Sequence, residues 1–367
     1  MESHFEGTIF RIPLRTLDTQ QHNSQGNIGQ IWTLTQVQDR LRSWIEDAKV
    51  GMLFLKKMET IELRDNVRDS ASFNWTATKS VGIGGPEANM ALDHHAESKQ
   101  HGTSVVEIKI ATSNSQNTET LQWLVHTEQS SLEDTPKSVK DHAQKNRWNV
   151  DRGIAIPLNF NYKSGQFHGR LFTHLPTPIR TGLPFHIHGD FALTSNRTGL
   201  ARGSDQEDPK CIWNHYLMQE AMPVTVANAF EKLAKRMFPA EAQGPKATEI
   251  EQYFKLWPII TETDGVHAQI IKAFIERFIQ TSYNHPIFPC KFAHKTPQVS
   301  VHAGKDVFFT WLNLKNAPGN INRAICGQLQ LKDHNTCDCS DELQTQIERF
   351  WKSSSNALSF SQIDPDL

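Results

Sequence analysis

The stretch TGLPFHIHGDFALTSNR, residues 181–197, decides how this chain is read. Along LPFHIHGDFAL a period of two puts Phe185, Ile187, Phe191 and Leu193 on one side of a strand and His186, His188 and Asp190 on the other. Two imidazoles and a carboxylate on one face can hold a transition metal with open positions, the basis of a small metal-dependent enzyme. Gly189 stands between His188 and Asp190, where a bulge would throw them onto different faces. The simpler reading is a sheet with one apolar, buried face and one polar, wet face. The same strand delivers TSNR. Thr194, Ser195 and Asn196 suit a turn that satisfies its own backbone groups, and Arg197 offers a planar fork for phosphate or carboxylate, or is an ordinary surface arginine.

Working outward, RGIAIPLNFNY (152–162) and FHGRLFTHLP (167–176) read as two further strands set off by Gly and Pro turns. SVVEIKIAT (104–112) and ETLQWLVHT (119–127) alternate around a polar turn and predict a hairpin. VGMLFLKKMETIELR (50–64), a buried apolar run followed by Ile61 and Leu63 in alternation, and SASFNWTATKS (70–80) predict two adjacent strands, and FEGTIFRIPLR (5–15) one more. The apolar stripe Leu34, Val37, Leu41, Trp44, Ile45 and Ala48 predicts an amphipathic helix, with Thr35 and Gln38 as its capping box. The polar run 130–147 reads either as a solvated helix or as a mobile connection. Past 208 the period turns helical: Pro223 opens a helix carrying Val226, Phe230 and Leu233, and Ile270, Ile271, Phe274 and Phe278 mark another. The segment 284–297 reads as irregular, KDVFFTWLN (305–313) as a strand, Leu343 to Trp351 as a helix, and the chain from Ser353 as disordered. Trp213, Tyr216, Tyr253, Phe254 and Trp257 flank apolar helical text and read as core.

Composition narrows the function classes. The 38 Lys and Arg against 40 Asp and Glu leave a net charge of -2, which gives no electrostatic reason to expect nucleic acid. No apolar run is long enough for a membrane span, and the N-terminal residues lack the pattern of an export signal, so no membrane partner is expected. Five cysteines, an odd number spread over 367 residues, do not form a disulfide framework; a reducing compartment fits, and a cytoplasmic protein is expected. Cys337 and Cys339, with Cys326 and His334 nearby, lack the paired knuckles of a structural zinc site and read as free thiols in a polar loop. A phosphate-cradling P-loop, a nucleophile elbow and a zinc-protease helix are all missing from the sequence, and VGIGGP (81–86) is only a Gly-rich turn.

Several blocks in fixed order carry a resemblance: FEGTIFRIPLRT, GMLFLKKMETIEL, GRLFTHLPTPIRTGLPFHIHGDFALTSNR, WNHYL and YFKLWP. Over Phe5 to about Pro258, and most strongly over 169–197, the chain resembles sacsin-type proteins, large relatives of the heat shock protein 90 chaperones. The resemblance implies an α+β fold of mixed, mainly antiparallel sheets packed with helices, like the middle region of heat shock protein 90 type chaperones, with a mostly helical C-terminal part. It implies that Gly7 and Thr8 belong to the closing strand of an ATPase lobe, so that 1–16 is the remnant of that lobe, 17–240 an α+β middle domain, 241–352 a mostly helical domain and 353–367 a tail. It further implies that ATP is met only through a missing or separate lobe, and that the chain does not hydrolyse ATP alone. By analogy Arg197, with Arg202 second, is the basic residue that reaches the nucleotide's terminal phosphate, and the partners are client or co-chaperone proteins. A plain scaffold without activity is the remaining alternative.

Overall fold

The computed structural model describes residues 33–55, 57–64, 74–82, 102–112, 118–159, 167–201, 208–239, 247–260, 267–291, 299–303, 308–309, 336–337, 342–343 and 345–347. The fold is α+β, built on an eight-stranded, mainly antiparallel sheet flanked by helices. In chain order the elements are α1 (Leu34–Gly51), β1 (Thr60–Arg64), β2 (Asn74–Gly82), β3 (Gly102–Thr112), β4 (Glu119–Ser130), α2 (Lys137–Asn146), β5 (Val150–Pro157), β6 (Arg170–Thr173), β7 (Leu175–Arg180) and β8 (His186–Gly189). They continue with α3 (Pro209–Tyr216), α4 (Met222–Met237), α5 (Ala247–Phe254), α6 (Ala268–Ser282), β9 (Pro286–Lys291), β10 (Val299–Ala303), β11 (Phe308–Phe309) and β12 (Thr336–Cys337).

The large sheet runs β1-β2-β3-β4-β5-β8-β6-β7. All its pairs are antiparallel except β6 with β8. The alternating runs at 104–112 and 119–127 form the hairpin β3–β4, in which Val106 faces Trp123 and Ile108 faces Leu121. The 167–176 run does not stay one strand. The chain reverses at His174, which takes a left-handed φ of 68°, so Thr173 pairs directly with Leu175 and β7 becomes the sheet's edge. Pro176 and Pro178 lie on that edge, where a missing N–H costs no ladder bond. Close approach of β6 to the 181–185 segment needs Gly169: a Cβ there would sit 2.0 Å from the Phe185 carbonyl oxygen and 2.6 Å from that of Leu183.

Two cores lie on the two faces of the sheet. On one, Leu124, Ile154, Ile156, Leu171, Phe185 and Ile187 pack against the apolar faces of α2 to α6. On the other, Trp75, Ile108, Trp123, Val125 and Phe172 pack under Ala48 of α1 and the Met52–Phe54 segment after it. The α1 capping box forms at Thr33 and Gln36 rather than at Thr35 and Gln38: Gln36 N–H donates to Thr33 Oγ1 at 3.2 Å, and Thr33 N–H to Gln36 Oε1 at 2.9 Å. The polar run after β4 resolves into a short 3₁₀ turn and α2, which buries only Val139 and Ala143. Pro223 does lie in the first turn of α4, and a π-helical turn, Leu217–Ala221, joins that helix to α3 without a break.

Beyond 240 the described residues hold α5, α6 and a second sheet of order β10-β9-β12-β11. The segment expected to be irregular contains β9, whose Ile287 and Phe288 are fully buried. Trp257 gathers Phe230, Tyr253, Phe254, Phe278 and Phe288 around it, and Tyr253 Oη donates to the Ile287 carbonyl at 2.6 Å. The core reading of Trp213, Tyr253, Phe254 and Trp257 therefore holds, with Tyr216 packed at its margin. Residues 5–15, 350–351 and 353–367, with Cys326, His334 and Cys339, lie outside the described residues. No described helix is long and apolar enough to cross a membrane.

Candidate functional site

The 181–197 stretch proves central to the sheet, and this corrects the expectation of a wet face. Strand β8 lies between β5 and β6, and both of its faces are covered, so His186 and His188 are buried. His186 Nδ1 accepts the Arg170 N–H at 2.9 Å, and its ring stacks on Trp123 with centroids 5.0 Å apart. Phe167 and Phe172 complete this aromatic box, in which Nε2 has no hydrogen-bond partner among the described residues. Burial, helped by the nearby Arg170 charge, pushes the imidazole down to about 3, so it is neutral at physiological pH. His188 Nδ1 accepts the His174 N–H at 3.3 Å, and its ring stacks on Phe54.

Asp190 is not a third member of that face. Strand β8 ends at Gly189, and the Asp190 carboxylate accepts the Asn149 N–H at 3.0 Å. Among the described residues no three His, Cys, Asp or Glu side chains gather as a metal site. The His186, His188 and Asp190 reading is therefore overturned by the geometry: two rings serve as packing and as backbone acceptors, and the carboxylate serves the turn before β5. Period two places side chains on faces, but cannot say what covers a face.

Arg197 stands at the tip of a rigid reverse turn. Leu193 bridges Leu200, and the Ala201 N–H donates to the Ala192 carbonyl at 2.8 Å. Within the tip, the Gly199 N–H donates to Thr194 Oγ1 at 3.1 Å, and the Thr198 N–H to Asn196 Oδ1 at 3.2 Å, as expected of a turn that satisfies itself. Helix α3 clamps the base of the turn. Trp213 Nε1 donates to the Asp190 carbonyl at 2.7 Å, while the Asn214 amide accepts from the Ala192 N–H and donates to its carbonyl, both at 2.9 Å. The WNHYL block thus holds the HGDFALTSNR block in place. Arg197 itself takes a left-handed φ of 57°, is exposed, and donates from Nη2 to Thr173 Oγ1 at 3.2 Å. No described carboxylate pairs with it. Arg202, Gly7 and Thr8 lie outside the described residues.

Next to Thr173, His174 forms one wall of a cleft of about 720 Å³ whose other walls come from the segment between Phe54 and Thr60. That segment is fixed from below by Lys79, whose buried ammonium donates to the carbonyls of Met52 and Leu55 at the C-terminal end of α1. Burial lowers the Lys79 pKa, and Glu59 opposes that shift. Gly153 leaves room for the Phe54 ring: a Cβ there would lie 3.3 Å from Phe54 Cε1 and 2.9 Å from the His126 carbonyl oxygen.

A second polar cluster has no signal in the sequence beyond alternation. Glu128 on β4 accepts from His126 Nε2 at 3.0 Å, Asn228 Nδ2 at 2.7 Å, Thr225 Oγ1 at 2.6 Å and Arg152 Nη2 at 3.2 Å. Burial works to raise the Glu128 pKa, but the bonds from His126, Thr225 and Asn228 together hold it far below the usual carboxylate range. The network ties α4 to β4 and β5, and only pairing across the sheet brings its members together.

Comparison with known proteins adds a relationship. The chain is 25% identical over 312 residues to human (Homo sapiens) sacsin, a match covering 78% of this chain and 7% of sacsin. It is 26% identical over 146 residues to Protein NO VEIN of Arabidopsis thaliana, covering 40% of this chain and 5% of that protein. The chain thus spans less than a tenth of the length of the curated relatives it matches. No family model matches it, and no solved structure matches it. The chain is thus similar to sacsin over most of its length and to NO VEIN over a shorter part.

Proposed function

We propose that the chain is a non-catalytic protein-binding and coupling module of a sacsin-like, heat shock protein 90 related chaperone, working in the cytoplasm on client or co-chaperone proteins. ATP reaches it only through a separate ATPase lobe, and Arg197 is the residue that answers the nucleotide's terminal phosphate. One observation supports this reading above the rest: the guanidinium is presented at the tip of a turn clamped by Trp213 and Asn214, with the Thr173 hydroxyl as its hydrogen-bond partner among the described residues. A guanidinium so presented can bind a phosphoryl group at little cost in reorganisation, and makes hydrolysis depend on docking of the two parts.

The test is ATP turnover by a heat shock protein 90 type ATPase lobe with this chain added in trans. The chain alone should show no turnover, addition should raise that of the lobe, and Arg197→Ala should remove about 10²-fold of the coupled rate. Unchanged turnover on addition of the folded chain, or an Arg197→Ala variant as effective as the parent, overturns the coupling role.

A further inference from the structure

The cleft beside His174 carries an inference of its own, one that rests on the reading of the chain as a protein-binding module. We propose that it is the docking site for an extended segment of a partner protein that carries a bulky apolar residue flanked by carboxylates.

The cleft is built before anything binds. Phe54 at its base stacks on His188 and meets Phe172 edge to face, with ring centroids 4.7 and 5.1 Å away, and Lys79 holds the carbonyls of the chain on either side of it. His174, on the opposite wall, is fixed in its left-handed conformation by the bond from its N–H to His188. A residue kept in that conformation needs surroundings that over-determine it, and such positions gather at binding sites. Ordering the site therefore costs a ligand little.

Exposed apolar side chains stand at and beside the cleft. Met58 is 42% exposed, and Leu175, next to His174, is 54% exposed. An apolar side chain entering the cleft of about 720 Å³ covers Met58, which lines it, and reaches Phe54 at its base. The cleft also opens at the start of β1, which ends the sheet on this side and has no partner strand on its outer edge among the described residues. An extended segment can pair there while its side chain fills the cleft.

The charge decides the flanking residues. Glu59 is the one described carboxylate on the cleft wall and also acts on the buried Lys79, while the exposed Lys57 on the same wall has no described carboxylate partner. Arg197, anchored on Thr173 one residue before His174, has none either. Acidic residues beside the apolar anchor complement these cations, and basic ones oppose them.

The experiment is fluorescence anisotropy on the full chain with three short labelled peptides of strand-forming sequence. One has a central Phe flanked by Glu, one a central Phe flanked by Lys, and one a central Ser flanked by Glu. The Phe–Glu peptide should bind at least about ten-fold tighter than either other peptide. Met58→Asp should weaken it by a similar factor, and Lys57→Glu should shift the preference toward the Phe–Lys peptide. Equal binding of all three peptides, or no response to Lys57→Glu, overturns the proposal. Lys57 is exposed, so its variant decides the matter even where Met58→Asp disturbs folding. Suppression of client aggregation by the same chain separates the two ideas. If suppression persists without selective peptide binding, the cleft proposal falls and the module reading stands; if selective binding persists without suppression, the cleft proposal stands and the chaperone part of that reading falls.

Discussion

The ring of Phe54 lies flat on the imidazole of His188, centroids 4.7 Å apart and planes 21° apart, so the end of helix α1 is keyed to the central strand of the sheet. Phe54 also meets Phe172 edge to face, and Gly153 opposite it has no side chain to compete for the space. One residue thus sets both the packing of α1 on the sheet and the base of the cleft.

Replacing it should be costly. Phe54→Ala removes a buried aromatic whose neighbours are held by the sheet and cannot close in, so the loss of unfolding free energy should be about 3 kcal/mol or more. Urea unfolding followed by tryptophan fluorescence measures this; a shift below about 1 kcal/mol would mean that α1 is not seated on β8 as described.

His186 predicts a pH dependence with a definite sign. Its folded-state value of about 3 lies below the ordinary 6.5, so the unfolded chain takes up a proton that the folded chain does not. Its contribution is complete above about pH 6.5 and is lost as the pH falls toward 3, by up to about 1.4 kcal/mol per pH unit. The difference in unfolding free energy between the parent and His186→Gln, measured across that range, should narrow on acidification. A difference independent of pH would show that the ring is not kept neutral by burial.

Glu128 should behave as the hub of its network. Glu128→Gln leaves Arg152, whose side chain is only 10% exposed, without its counter-charge, and should cost about 3 kcal/mol. Adding Arg152→Met should restore part of that loss, because an unpaired buried charge costs more than an apolar replacement. A double-mutant cycle in denaturant gives the coupling, and strict additivity of the two changes would sink the idea.

Gly169→Ala tests a place where backbone meets backbone. The new methyl would collide with the carbonyls of Phe185 and Leu183, neither of which can swing aside as a flexible side chain could. Destabilisation at or above the roughly 1–3 kcal/mol of ordinary overpacking is expected, read as a drop in Tm. A variant as stable as the parent would contradict the close approach of β6 to the 181–185 segment.

Much of this architecture is written in local pattern. Period two revealed the β3–β4 hairpin and the strands around Ile154 and Ile187, and period 3.6 revealed α1, α4 and α6, because each element must turn an apolar side toward something. The TSNR turn was legible for the same local reason: Thr194 and Asn196 bond within a few residues of themselves. The reversal at His174 was not legible, since nothing in FTHLP marks a residue that will take a left-handed conformation except the neighbours that hold it there.

The sequence by itself determined which residues alternate, which apolar stripes α1, α4 and α6 carry, and that Thr194 to Arg197 belong to a self-bonded turn. Only the tertiary structure decided that both faces of HIHG are covered, that His186 and His188 are packing groups rather than a wet or metal-binding face, and that Glu128 meets Arg152, Thr225 and Asn228. The physical reason is one of range. Backbone geometry fixes the side of a strand from two residues away, whereas burial and charge pairing depend on partners brought in from 100 residues along the chain, as Asn228 is to Glu128, or more.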